Sequence, residues 1–191
     1  RLWQYAVHGG ADNALDFIKF AADLSGFETD WLEPRPLVRA GLYWPGLDSP
    51  ALRAVRAQWR DGAPICAVVF YRALVQAGNT RVIDALIDGL SQQGMNPLAV
   101  FASSLKDPVA AATIGEIFQT APPDVILNAT SFAVSVPGAE RTLSPFDGAP
   151  GDGPGPVVLQ VVFSGGNEAG WRESTHGLGA RDIAMNVALP E

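Results

Sequence analysis

The chain has 191 residues, of which 48% are apolar and 17% charged, with a net charge of −7. That balance supports a buried core for one medium domain with extra pieces and excludes general disorder. With no basic face evident, it argues against nucleic acid as a partner. The single cysteine, Cys66, lies in an apolar run, which excludes a disulfide framework and reads as a small buried hydrophobe. No apolar run reaches the ~20 residues needed to span a membrane and no leader peptide is visible, so the expected location is the cytoplasm. Starting at Arg1 and ending in ALPE, the sequence reads as a piece of a longer protein.

Asp12 or Asn13 can cap a helix to about Leu24, with Leu15, Ile18, Ala21 and Ala22 as its apolar face and Gly26 as its stop. VHGG before it reads as a flexible entry, and FETDWLEPRP after it as a linker without period. LVRAGLY, from Leu37, reads as a strand, and Ser49-Pro50 opens a helix to about Arg60. PICAVVFY is apolar throughout, the pattern of a strand buried on both faces of a parallel sheet. A loop of mixed character follows, up to Asn79 or Thr80, where a helix with face Val82, Ile83, Leu86, Ile87 and Leu90 begins; Gly94 ends it. PLAVFA is the next strand, Asp107-Pro108 caps a helix toward Thr120, DVILNAT is a fourth strand and Val157–Phe163 a fifth. Residues 134–156, rich in Pro, Gly, Ser and Asp, read as a long surface loop. A short helix near Arg181–Met185 and a strand into Leu189 close the chain.

Strand and helix alternate at crossover spacing. The expected fold is therefore α/β, an open, mostly parallel sheet with helices on both faces, Rossmann-like or flavodoxin-like, plus an N-terminal helical piece. The expected organisation is a helical segment and linker over 1–36, the α/β domain over 37–170, and the start of a following segment over 171–191.

In such sheets ligands bind beyond the carboxyl ends of the strands. The predicted tips carry Tyr71-Arg72, then Ser103 to Lys106, then Asn128 to Phe132, then Ser164 to Asn167. Polar tips are also what solvated loops look like, so the signal belongs to the rim as a whole. Arg72 has two readings: a fork for a ligand carboxylate, or a partner for an acid of the protein such as Asp84. Asn79-Thr80 reads as a helix cap, a role compatible with holding an anion. Phe132 can stack on a flat ring or belong to the core. His176, in STHGLG, is a surface histidine or a proton carrier, and Glu191 is an exposed acid or a carboxylate for a metal or a proton. No GxGxxG or GxxxxGK[ST] phosphate loop, HExxH, CxxC or GxSxG is present.

Taken as an ordered series, YRALVQAGNTRVIDALIDGLSQQGMNPLAVFASSLKD, PPDVILNATSFAV and VVLQVVFSGG…GWRESTHGL…DIAMNVALPE resemble the large subunit of aerobic cobaltochelatase, the CobN type, and more distantly that of magnesium chelatase. The likeness runs from Gly9 to Leu189. Arg72, Gly78, Asp84, Thr130, Phe132, Ser174, Gly177, Leu178, Pro190 and Glu191 match the family pattern, whereas Leu74 stands where magnesium chelatases carry histidine.

The resemblance implies a tetrapyrrole-binding subunit of a cytoplasmic, multi-subunit ligase. Such an enzyme inserts cobalt, as substrate ion, into hydrogenobyrinic acid a,c-diamide in cobalamin biosynthesis. AAA-type ATPase partner subunits, not this chain, would bind ATP and Mg. A corrinoid has apolar faces and a fringe of carboxylates. Arg72, Asn79, Thr80, Ser103, Lys106, Thr130 and Phe132 are the candidate substrate-binding residues. Glu191 and His176 are the candidate catalytic residues, with Glu191 the candidate metal ligand, because a carboxylate near the ring can relay the ion or accept a ring proton. The competing readings are a scaffold or docking module of the chelatase complex and a generic small-ligand receptor resting on fold analogy alone.

Overall fold

A computed structural model describes residues 1–131, 146, 155–175 and 177–184. Most of the predicted 134–156 loop, the strand into Leu189, and Phe132, His176 and Glu191 lie outside the described residues.

The chain opens with α1 (Leu2–His8) and α2 (Ala11–Leu24), a helical hairpin turned at Gly9-Gly10. That pair is a fixed corner, not the flexible entry expected from VHGG. Gly9 has φ 65°, and a Cβ there would sit 3.0 Å from the Gln76 carbonyl oxygen, so only glycine fits. The Gly10 N–H donates to that same carbonyl at 2.8 Å.

The apolar face of α2 read from the sequence is largely turned to solvent at Leu15 and Ile18. Leu15 and Ile18 are 54% and 65% exposed, while Asn13 and Asp16 are 6% and 5% exposed. The reason is the linker, which lies along the polar side of the helix and bonds to it through its backbone, as the Arg35 N–H does to Asn13 Oδ1 at 2.9 Å.

β1 (Ala40–Leu42) and α3 (Leu52–Arg56) follow, both shorter than predicted. Ser49 adopts φ 44°, a left-handed turn, so α3 begins after Ala51 instead of at a Ser49 cap. Next come β2 (Ile65–Tyr71), α4 (Arg72–Gln76), α5 (Arg81–Gln92), β3 (Asn96–Ala102), α6 (Pro108–Thr120), β4 (Val125–Asn128), β5 (Val157–Gln160), α7 (Glu168–Glu173) and α8 (Ala180–Ile183). Where a loop was expected after β2, α4 forms a single turn whose Leu74 and Val75 pack on the sheet cluster. Thr80 stands at the N-cap of α5 without a side-chain bond to the helix, whereas Asp107 caps α6 as the sequence predicts.

The sheet order is β1-β3-β2-β4-β5. All pairs are parallel except β1 on β3, so the sheet is open and mostly parallel, as expected. From β2 the chain crosses to β3 on one side, then back over to β4 on the other, which places the topological switch point between β2 and β4. Alternate residues of the strands feed two cores. Ala67, Val69, Leu98 and Val100 pack with Val55 of α3 and Ile114 and Phe118 of α6. Val68, Phe70, Ala99 and Phe101 pack with Ile83 and Ile87 of α5. Helices therefore cover both faces, which is why β3 is buried at every position. Cys66 is buried within β2 as read from the sequence, and burial pushes its thiol up to about 11. Among the described residues no helix is long and apolar enough to cross a membrane.

Candidate functional site

Register brings the carboxyl ends of β2, β3 and β4 to one edge: Tyr71 pairs with Ala102, and Val69 with Asn128. Beyond that edge lies a cavity of about 280 Å³ lined by Tyr71, Ser103, Ser104, Leu105, Lys106 and Thr130. It sits beside the switch point, where the two crossovers diverge and leave a gap between loops.

Each wall is held in place. The loop after β3 is fixed by Asp107, whose Oδ1 accepts the Val109 N–H at 3.0 Å and whose Oδ2 accepts the Ser103 hydroxyl at 3.1 Å and Arg39 Nη1 at 3.0 Å. Burial tends to raise the Asp107 carboxyl, but the Val109 N–H, the Ser103 hydroxyl and the Arg39 guanidinium outweigh it and hold it below the usual carboxylate range. The Ser104 hydroxyl accepts the Lys106 N–H at 3.1 Å, tightening the same loop.

On the β4 side, the N–H and hydroxyl of buried Thr130 both donate to Asn128 Oδ1, at 3.1 and 2.7 Å. Asn128 and Gln160 lock this turn to β5: Asn128 Nδ2 donates to Gln160 Oε1 at 2.9 Å, and Gln160 Nε2 to the Thr130 carbonyl at 2.7 Å. Tyr71 Oη accepts the Ser131 N–H at 3.1 Å, which ties the end of β2 to the turn after β4. Among the described residues, the Lys106 ammonium pairs with no carboxylate. The cavity thus presents one cation and several hydroxyls, a set suited to a carboxylate or an amide.

The other sequence-predicted residues lie elsewhere. α4 starts directly at Arg72 and carries it away from the edge, where Nη1 donates to the Leu37 and Val38 carbonyls at 3.3 and 3.5 Å. Asp84, the acid considered for Arg72, instead accepts the Tyr43 hydroxyl at 2.6 Å. Asn79 is exposed in the turn before α5. Thr80 lines a different cavity of about 470 Å³, between the α1–α2 corner, Tyr43, Trp44 and the 46–49 loop. The tip after β5 turns aside as well: Ser164 and the Gly165 N–H both donate to the Asp182 carboxylate at 3.0 Å, and these two bonds hold that carboxyl low.

Sequence reasoning set Tyr71 at the tip of β2 but nominated its neighbour Arg72 for the site, and it did not name the Arg39–Asp107 support, whose partners are 68 residues apart. Parity favours Tyr71 over Arg72, since Tyr71 shares the face of Ala67 and Val69. Among the described residues, no three His, Cys, Asp or Glu side chains gather as metal ligands.

Comparison with known proteins adds the family. The family model described as CobN/Magnesium Chelatase matches residues 3–191. The aerobic cobaltochelatase subunit CobN of Sinorhizobium sp is 47% identical over 201 residues, covering all of this chain and 15% of that protein. Its namesake in Pseudomonas aeruginosa is 38% identical over 192 residues, again covering all of this chain and 15% of the relative. The chain therefore spans about a seventh of the length of these curated relatives. A solved structure, the catalytic subunit of cobaltochelatase from Mycobacterium tuberculosis, superposes with a TM-score of 0.69 at 23% identity, covering 99% of this chain and 15% of that one. It shares the fold. With a family match over nearly every residue, the chain belongs to the CobN/magnesium chelatase family.

Proposed function

We propose that this chain supplies part of the tetrapyrrole-binding region of a cobaltochelatase large subunit, and that the Lys106 cavity receives a carboxylate or amide on the rim of the corrinoid. One observation carries this reading: Lys106 and the hydroxyl-bearing residues Tyr71, Ser103 and Ser104 line one cavity at the carboxyl edge of the sheet, beside its switch point. At about 280 Å³ the cavity is below the usual ~300–1,000 Å³ range of small-molecule sites, so it suits a single side chain of the ring and not the macrocycle itself.

In this reading the substrate is hydrogenobyrinic acid a,c-diamide, whose fringe of carboxylates and amides meets Lys106, Ser103 and Thr130. Phe132, two residues past Thr130, would stack on the ring. Cobalt enters as substrate ion. As it replaces a ring N–H proton, Glu191 is the carboxylate proposed to guide the ion or take that proton, with His176 as the carrier onward. ATP and Mg belong to AAA-type ATPase partners, and the reaction is placed in the cytoplasm.

The test is a titration of the full-length subunit with the corrinoid, followed by its visible spectrum, for wild type and Lys106→Met. A lost charge-assisted hydrogen bond of about 1.5–3 kcal/mol weakens binding by roughly ten- to a hundredfold. Equal affinity of the two proteins removes the cavity from the substrate site.

A further inference from the structure

α2 is amphipathic the wrong way round for a helix at the surface of a water-soluble domain. Ala11, Ala14, Leu15, Ile18 and Ala22 fall within about 100° of arc at 3.6 residues per turn. No charged residue lies within that arc. A surface helix normally turns such a stripe to the core and its charges to water. Here the stripe faces out, with Leu15 54% and Ile18 65% exposed.

The inversion is held by specific bonds. Asn13 Nδ2 donates to the Gly9 and Arg35 carbonyls, each at 2.8 Å, its Oδ1 accepts the Arg35 N–H at 2.9 Å, and Asp16 Oδ1 accepts the Leu32 N–H at 3.3 Å. The bonds to Arg35 and Leu32 satisfy part-buried linker backbone that has no strand or helix to join. Rolling the helix to bury Leu15 and Ile18 would leave those groups unpaired, so the outward stripe is a property of the fold. It runs along a 14-residue helix, about 21 Å at 1.5 Å per residue.

We propose that this face of α2 is a docking surface for another segment of the same large-subunit polypeptide, lying outside these 191 residues and presenting an apolar face of its own. The occupant follows from length: the chain covers 15% of each CobN relative, so most of such a subunit is available to cover the stripe without a second molecule. An uncharged stripe lined with alanines lets a second element approach closely. The inference rests on family membership and is independent of where the corrinoid binds.

The test uses a full-length large subunit with these residues in their matching place, for instance within the Sinorhizobium relative. Leu15→Cys is labelled with a maleimide beside Ala14→Cys, which adds a single sulfur and serves as the milder variant, and peptide mass spectrometry reads each site. Protection of both cysteines by about tenfold or more over the urea-unfolded subunit, unchanged on dilution to single subunits, is the expected result. In the 191-residue chain alone the same cysteines should label at the unfolded rate. Labelling at the unfolded rate in the folded full-length subunit overturns the proposal. Protection that vanishes on dilution also overturns it, by assigning the face to a second copy or a partner subunit. Protection already present in the 191-residue chain overturns it too, because the cover is then internal.

Discussion

One oxygen of Asp107 accepts both the Ser103 hydroxyl, at 3.1 Å, and the Arg39 guanidinium, at 3.0 Å. A single carboxylate therefore caps α6, orients a hydroxyl that lines the cavity, and anchors the start of β1. Removing it should loosen the wall of the site and not merely fray a helix.

Asp107→Ala is expected to lower the melting temperature by about 2–6 °C, the range for loss of an N-cap in a chain of this size. Asp107→Asn retains an acceptor for the Val109 N–H and should cost less. The sign with pH follows from the depressed carboxyl. Its stabilisation is fully present above the unfolded carboxylate value of about 3.9 and is lost as pH falls through the lower folded value. The gap in melting temperature between wild type and Asp107→Asn should therefore hold from pH 7 to about 5 and close below it. A gap that widens on acidification would contradict the assignment.

Asn13→Ala removes the acceptor of the Arg35 N–H and the donor to the Arg35 and Gly9 carbonyls. Part-buried backbone groups left without partners should cost about 1 kcal/mol or more. The local readout is hydrogen exchange at the Arg35 amide, which should accelerate while amides within β2 and β3 stay slow. Unchanged exchange at Arg35 would show that the linker is held by other contacts.

Cys66 should be inert in the folded chain. With its thiol near 11, roughly one molecule in a thousand carries the thiolate at pH 8, and the side chain is buried in β2. Reaction with a disulfide reagent at pH 8 should wait for unfolding and keep pace with it. Cys66→Ser places a hydroxyl among apolar side chains and should cost about 1–3 kcal/mol.

Ile114→Ala empties space between α6 and the sheet, where Ile114 is fully buried. A loss of about 2–5 kcal/mol is expected in urea unfolding. Leu15→Ala, on the outward face of α2, should stay within about 0.5 kcal/mol in the 191-residue chain. In the full-length subunit the Leu15 change should become costly.

Much of this was legible along the chain. The apolar run of β2 announces a strand covered on both faces, and β3 is buried at all seven positions. Asp107-Pro108 announces the start of α6 because a cap and a proline at the first turn act locally. The alternation of these elements is enough for a mostly parallel sheet with helices on both sides. Ser103, Lys106 and Thr130 could be nominated for one rim because each follows a strand, and parallel strands end at a common edge.

The tertiary structure decided what periodicity cannot express. Arg72 follows a strand like the others, yet α4 begins at that very residue and points it to the Leu37 and Val38 carbonyls. The stripe of Leu15 and Ile18 was visible in the sequence, but its direction was not. Which side of a helix is buried depends on what lies across from it, and here the linker offers backbone N–H and carbonyl groups that Asn13 and Asp16 satisfy from α2. Local pattern sets where elements form, whereas pairing between distant residues sets which of their faces meet, because the hydrogen bonds that choose between faces join groups far apart in the chain.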